Sequence, residues 1–437
     1  MHPYLRPIRD LALAVLLAGA ALGQSTGSTV RHHQVPVEQP GTDLTHAETL
    51  IEQKDYAAAE SELQKAVAAD PANYTAWFDL GFVANALGRT DDAIAAYRKA
   101  VAAKPDLFEA NLNLGLLLAR EGKPDAADYL RAATSLTPTS HSEEGRARAC
   151  LSLGHVLESS NPEQALEAYR RAAALQPTNP EPLLSAGSLQ QTQNHFADAE
   201  QNYKKALDLD PANQDTMTAL ANLYMRGHKF TEAEALLKKL VALRPQDGAA
   251  HLQLGRMLAA SEDVNGAISE IETALKLTPN DSAAGQDLAE LYLKSGKFSQ
   301  AEGLYQKLLV QNPKDADLHQ KLGHVLLQAK NYPGAQQEFQ AAVSLKPDLG
   351  SAYGDLAIAA NENKDYALAI KALDARAQYL PELPIGYFLR ATAYDHLHQP
   401  KPAAENYRKF LDVDAGQYPD QEWQARHRLI AIDPKRK

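Results

Sequence analysis

A single cysteine, Cys150, serves all 437 residues, so the chain can form no internal disulfide. A nucleophilic thiol needs a base beside it, and the sequence places neither His141 nor His155 there; the expectation for Cys150 is a buried structural thiol. Catalytic signatures are missing as well. There is no H-E-x-x-H, no G-x-S-x-G, no Walker-type G-x-x-x-x-G-K-S/T and no pair of C-x-x-C motifs, so no enzyme, no catalytic residue and no cofactor is expected. The fourteen histidines are scattered. His319 and His324 stand five apart, off the helical spacing that aligns two ligands, and His32 with His33 falls in an irregular stretch, so no metal site is expected. Basic residues are outnumbered 44 to 55, and the net charge of −11 disfavours nucleic acid as a partner. Runs of β-branched residues are few, whereas 45% of the chain is hydrophobic with much alanine, a composition suited to paired helices.

What the chain does have is a period. Pro71, Pro105, Pro138, Pro177, Pro211, Pro245, Pro279, Pro313, Pro347 and Pro381 recur every 34 residues, with one step of 33 and one of 39. Twelve residues before each stands an alanine, from Ala59 and Ala93 to Ala335 and Ala369, and eight before each a bulky group such as Leu63, Tyr97, Tyr169, Ile271 or Phe339. In seven of the ten units a second alanine follows seven residues after the first, so small, bulky and small side chains share one helical face. Arg376 replaces that second alanine in the last such unit, where its stem is expected to reach outward.

About 24 residues before each proline a Gly or Ala lies within another apolar pattern, as in Trp77, Leu80 and Gly81, which reads as the first helix of a pair with those three as core. Gly88, Gly122 and Gly296 fall where that helix should stop, and Tyr56, Phe196, Phe230, Phe298, Tyr332 and Tyr366 should open the second. Proline ends the second helix, and Asn73, Asn213, Asp247, Asp281 and Asp315 are placed to cap the next. The residues TSHSEEGRAR, which create the 39-residue step, should either lengthen a first helix or form a loop.

A 34-residue unit with W-F-D-L-G at Trp77–Gly81, then Ala93, Tyr97, Ala100 and Pro105, resembles the tetratricopeptide repeat. The resemblance covers residues 40–415 as about eleven units, the last degenerate because Ala415 replaces its closing proline. It implies an all-α chain folded as a right-handed α-solenoid, a superhelix of antiparallel helix pairs, whose first helices line a concave groove that binds a peptide or protein segment. A solenoid has no single central core, so the length need not mean several globular domains. Residues 416–437 are expected to form a capping helix, through Trp423, Leu429 and Ile430, followed by the basic tail Lys435–Arg436–Lys437.

The family's known ligand sets are absent: the clamp for acidic chaperone tails is not matched, and the counterparts of Asn113 are Asp79, Ser152, Ser185, Ala219, Gln253, Asp287, Lys321 and Asp355 rather than a ladder of asparagines. Helix geometry suggests a groove lined by Phe78, Phe82, Leu112, Asn113, Leu116 and His155 towards the amino terminus and by Asn222, Arg256, Glu290 and His324 beyond. The paired apolar groups at Phe78, Phe82, Leu112 and Leu116 point to the amino-terminal half as the binding half; for the leucines, packing between neighbouring first helices is an equal alternative.

At the amino terminus Arg6 and Arg9 precede the apolar run Leu11–Leu22, which resembles a secretory signal peptide over residues 1–23, with cleavage after Gly23 or Ala20. No cysteine follows for a lipid anchor, the run is too short to span a bilayer comfortably, and residues 24–39 read as a flexible tether. Loss of Arg6, Arg9 and Asp10 with that segment would take the charge from −11 to −12. The sequence therefore predicts an exported scaffold, periplasmic or secreted and at most peripherally associated with a membrane, with a glycan- or solute-binding component of polysaccharide export as the alternative. Intact-mass measurement on protein from its native cells should find a chain beginning near Gln24; a soluble cytoplasmic product that keeps residues 1–23 would overturn the localisation.

Overall fold

A computed structural model describes residues 44–139 and 142–433, and every regular element among them is an α-helix. The expected signal segment, the tether with His32 and His33, His141 and the tail Lys435–Arg436–Lys437 lie outside the described residues. The chain divides into two compact units, the first ending at Leu243 and the second beginning at Arg244.

The first unit holds six helix pairs: α1 (Thr45–Glu52) with α2 (Tyr56–Ala69), α3 (Tyr74–Ala86) with α4 (Thr90–Ala103), α5 (Phe108–Arg120) with α6 (Ala126–Ser135), α7 (Ser142–Leu157) with α8 (Pro162–Leu175), α9 (Glu181–Thr192) with α10 (Phe196–Leu209), and α11 (Gln214–Arg226) with α12 (Phe230–Leu243). The second holds α13 (Gly248–Ala260) with α14 (Val264–Leu277), α15 (Ser282–Lys294) with α16 (Phe298–Gln311), α17 (Ala316–Gln328) with α18 (Tyr332–Leu345), α19 (Gly350–Glu362) with α20 (Tyr366–Arg376), α21 (Pro384–His396) with α22 (Pro400–Val413), and the closing helix α23 (Pro419–Ile432). Within each unit consecutive helices pack on one another, giving antiparallel pairs stacked in chain order.

The local rules hold at most boundaries. All ten alanines that stand twelve residues before a proline are fully buried, and the six aromatics expected to open a second helix are its first residue. The Asn73 and Asn213 side chains each accept from the backbone N–H three residues on, and Asp247, Asp281 and Asp315 each accept from two N–H groups of the helix they cap. The residue before the proline leaves the helical region, as at Asp70 with φ −134° and ψ 92°, because the pyrrolidine ring crowds the α conformation of its predecessor. In ten of the eleven pairs the turn between the two helices holds a left-handed residue. It is Gly88, Gly122 and Gly296 where expected, but Lys54, Asn194, His228, Glu262, Lys330, Lys364 and His398 adopt positive φ at the same place. The 39-residue step resolves as helix: α7 begins twelve residues before Gly154, whereas α5 begins seven before Gly115.

Six of the eleven pairs share one close contact. A side chain built on Gly154 would lie 2.4 Å from Cε1 of Tyr169, and Gly81 meets Tyr97, Gly115 meets Leu130, Gly187 meets Tyr203, Gly255 meets Ile271 and Gly323 meets Phe339 in the same way. The bulky group of the second helix thus rests on bare backbone of the first. Trp77 and Leu80, expected in the core, are only half-buried, because Phe78 and Gly81 occupy the inward face instead. The Trp77 ring is held at the entry loop, where its Nε1–H donates to the Pro71 carbonyl at 3.0 Å, and Asn111, His251 and His319, at the same repeat position, donate to Pro105, Pro245 and Pro313. Each closes a helix pair onto the loop that enters it.

Two further expectations are corrected. In α23 the inward residue is Ala425, with Leu429 and Ile432 beside it against Phe410, while Trp423 and Ile430 are 62% and 67% exposed. The cap turns its small side chain inward, since Ala425, Leu429 and Ile432 follow i, i+4, i+7 and Trp423 lies off that stripe. Arg376 does not simply reach into solvent: its Nη1 donates to the Pro381 carbonyl at 2.8 Å. Cys150 is fully buried, as expected, and burial pushes its thiol pKa up.

The glycine seat gives a direct test. Gly154→Ala should force α7 and α8 apart and cost about 1–3 kcal/mol, read as a lower urea midpoint with the helical spectrum retained; an unchanged midpoint would show that this contact does not set the spacing.

Candidate partner-binding face

The residues expected to line an apolar ridge in the first unit are mostly inside it. Phe78 and Leu112 are 1% and 0% exposed and Asn113 and Leu116 are also buried. Phe78 packs on the Tyr97 ring at 5.6 Å between centroids, Leu112 and Leu116 join Leu130, Ala149 and Leu153, and Asn113 Nδ2 donates to the Tyr97 hydroxyl at 3.4 Å. Phe82 is half-buried, its ring edge-on to Tyr56. The reason is crowding: a first helix touches its own partner, the second helix of the pair before it and, for α5, the next first helix α7, so large apolar groups near its inner face are taken up by packing within and between repeats. For Phe78, Leu112, Asn113 and Leu116 the groove ridge is therefore corrected to a structural seam, whereas Phe82 keeps part of its surface open.

The polar candidates fare differently. His155, Asn222, Arg256, Glu290 and His324 are half-buried on α7, α11, α13, α15 and α17. Four of them share one partner position on the next first helix. In the first unit His155 Nε2 lies 3.1 Å from Ser185 Oγ. In the second, Arg256 Nε meets Asp287 Oδ2 at 2.6 Å, Lys321 Nζ meets Glu290 Oε1 at 2.6 Å and His324 Nε2 meets Asp355 Oδ2 at 2.8 Å. The sequence separations in the second unit are identical, 31 residues for 256 to 287, 290 to 321 and 324 to 355. One row of groove candidates is thus knitted to the row of Asn113 counterparts. Neutral amides extend the network: Lys321 Nζ also donates to Gln286 Oε1 at 3.2 Å, and Gln320 Nε2 donates to Asp355 Oδ2 at 2.6 Å and to Ser351 Oγ at 3.3 Å. Sequence reasoning named both rows but missed the pairing; the constant spacing of 31 residues, with Arg facing Asp and Glu facing Lys, was the available signal.

His319, the other histidine considered with His324, has one ring nitrogen 2.6 Å from Glu338 Oε2 and the other at the Pro313 carbonyl, so the two rings serve separate contacts. Among the described residues no group of three His, Cys, Asp or Glu side chains could hold a metal ion, and no helix is long and apolar enough to cross a membrane.

Burial and the facing partner compete in setting the electrostatics of this row. Burial pushes the Asp287 pKa up against the opposing pull of Arg256. Burial lowers the His155 pKa, and the opposing charges of Glu158 and Glu181 do not offset it; the neutral Ser185 hydroxyl faces the ring. Burial also disfavours the charged His324 ring, but the hydrogen bond and charge of Asp355 outweigh it, and the His324 pKa is raised. His324 therefore stabilises the fold below the ordinary histidine pKa of 6.5, and that contribution is lost as pH rises through its folded value. The sign reverses for His155, whose contribution is present above 6.5 and is lost as pH falls from there to its folded value. Imidazole titration by NMR should place the two on opposite sides of 6.5, and Asp355→Asn should lower the His324 value; two rings titrating together would show that the partner does not govern the shift.

Comparison with known proteins bears on the same repeats. Residues 16–287 match a tetratricopeptide-repeat family model described as the cilia and flagella-associated protein 70 C-terminal domain, and residues 258–324 and 321–384 match two models described as tetratricopeptide repeat. The tetratricopeptide repeat and J domain-containing co-chaperone DNJ1 of Fusarium oxysporum f. sp. lycopersici is 32% identical over 118 residues, 27% of this chain and 23% of that protein. Tetratricopeptide repeat protein 37 of Xenopus laevis is 35% identical over 87 residues, 20% of this chain and 6% of that protein. The chain thus spans less than a quarter of the length of either relative. The solved structure of YrrB, described as a TPR protein with an unusual peptide-binding site, is similar at 22% identity with a TM-score of 0.39, over 43% of this chain and 96% of that one. With a family model matching well over half its length, and helix pairs that repeat every 34 residues, the chain belongs to the tetratricopeptide repeat proteins.

Proposed function

We propose that this chain is an exported, non-enzymatic scaffold that holds a segment of a protein partner on the first-helix face of its second unit. One observation carries the placement: on α13, α15, α17 and α19 polar side chains are pinned by cross-repeat bonds yet keep part of their surface open, with Arg256, Lys321 and His324 30%, 36% and 42% exposed. Side chains already held in one orientation lose little entropy when a partner docks, which favours recognition there over the largely buried apolar seam of the first unit. Export rests on Arg6, Arg9 and the apolar run Leu11–Leu22, and the non-enzymatic reading on the missing catalytic motifs. The relatives' names support a protein partner through their class alone: one is a co-chaperone, and one structure is described by a peptide-binding site.

A photo-crosslinking amino acid at Gln286 or Gln320, half-buried on this face, should yield protein adducts in envelope extract, while the same probe at exposed Lys276 on α14 should not. Adducts from Lys276 alone, or retention of glycan without protein, would overturn the assignment.

A further inference from the structure

We propose that the face formed by α13, α15, α17 and α19 selects an extended polypeptide segment in which acidic and basic residues alternate about every three positions. The inference rests on the reading that this face holds a partner segment. Its basis is the way the cross-repeat pairs distribute charge among helices. Because each bond joins one position on a first helix to another position on the next, one helix carries a residue from two successive pairs. α15 therefore presents two carboxylates, Asp287 and Glu290, and α17 presents Lys321 and His324, while α13 contributes Arg256 and α19 Asp355. The outcome is four bands of alternating sign: cationic, anionic, cationic, anionic.

The bands are not used up by their internal pairing. Every member of the three pairs keeps between 18% and 42% of its side-chain surface open. An ionised carboxylate has about four acceptor sites and an ammonium three donors, more than the neighbouring repeat engages. Adjacent packed helices lie about 8–10 Å apart, and an extended chain advances about 3.3 Å per residue. A strand laid across the first helices therefore meets the next band roughly three residues later. The best complement places an acid over α13, a base over α15, an acid over α17 and a base over α19. A uniformly charged segment, whether a polyanionic glycan, an acidic tail or a basic tail, meets a like charge at every second band and is rejected. Net charge on this face is close to balanced, so selection falls on pattern rather than on total charge.

The test uses the full chain and two labelled twelve-residue peptides of one composition: Glu and Lys alternating every third position between Gly and Ser, and the same residues with all Glu preceding all Lys. Fluorescence anisotropy should find the alternating peptide at least tenfold tighter. Exchanging the central pair, Glu290→Lys with Lys321→Glu, keeps an internal ion pair but breaks the bands on α15 and α17. It should leave the urea midpoint in place and weaken the alternating peptide about tenfold. Should the exchange unfold the chain, Arg256→Gln, which removes the first band, should weaken that peptide instead. Equal binding of both peptides, binding of neither, or full affinity in folded exchange and Arg256→Gln variants overturns the inference. Crosslinking from Gln286 and Gln320 separates the two readings. Adducts to either peptide without preference for pattern leave the docking face standing and sink the banding, whereas no adduct to any peptide or native partner sinks both.

Discussion

The contact that sets the spacing in six of the eleven helix pairs is the seat of a large side chain on bare backbone. Tyr97 on Gly81, Leu130 on Gly115, Tyr169 on Gly154, Tyr203 on Gly187, Ile271 on Gly255 and Phe339 on Gly323 are one interaction repeated along the chain. Glycine lowers helix propensity by about 1 kcal/mol relative to alanine, so its use in mid-helix is costly unless close approach offsets it. Here it does, because the second helix carries alanines on both sides of the large group, and two small residues and a missing side chain let the axes draw together. With the spacing within pairs set, the remaining surface of each first helix has only a narrow strip for the next pair.

That strip explains why the apolar and polar candidates had different fates. Phe78, Leu112 and Leu116 gain most by leaving water, and neighbouring first helices are near enough to bury them. Arg256, Glu290 and His324 cannot be buried without a partner, so they stop at the edge of the contact, where the next repeat supplies an opposite charge. One row of bonds then does two things: it ties a repeat to its successor, and it holds polar groups in fixed positions on a surface that stays partly open. Exposed ion pairs contribute little to stability singly, about 0–1 kcal/mol, so arrangement along this face is the more informative property. His155 and His324, at one repeat position, shift in opposite directions: burial outweighs the charges of Glu158 and Glu181 at His155, whereas the hydrogen bond and charge of Asp355 outweigh burial at His324.

Much was legible from local chemistry. The period of 34 residues, the buried alanines, the aromatic first residues of second helices and the Asn and Asp caps all depend on neighbours within a turn or two, so sequence spacing alone locates them. The left-handed turns were legible only where glycine marked them. Lys54, Glu262 and Lys364 take the same conformation because the helices on both sides force it, and nothing in those residue types announces it. The cap was read as the right helix with the wrong face: Ala425, Leu429 and Ile432 form the inward stripe at i, i+4, i+7, and Trp423 and Ile430 lie off it.

By itself the amino-acid sequence determined the repeat, its helix pairs, most of their ends and the family, because a structural unit that recurs must recur in the residues that build it. Only the tertiary structure decided which face of each first helix is free. Two neighbours compete for that helix, and a residue one position along it turns by about 100°, enough to move Phe78 inward and leave Trp77 beside a loop carbonyl. The joining of Arg256 to Asp287, Glu290 to Lys321 and His324 to Asp355 is likewise a property of stacking, since it needs successive first helices side by side with their registers matched.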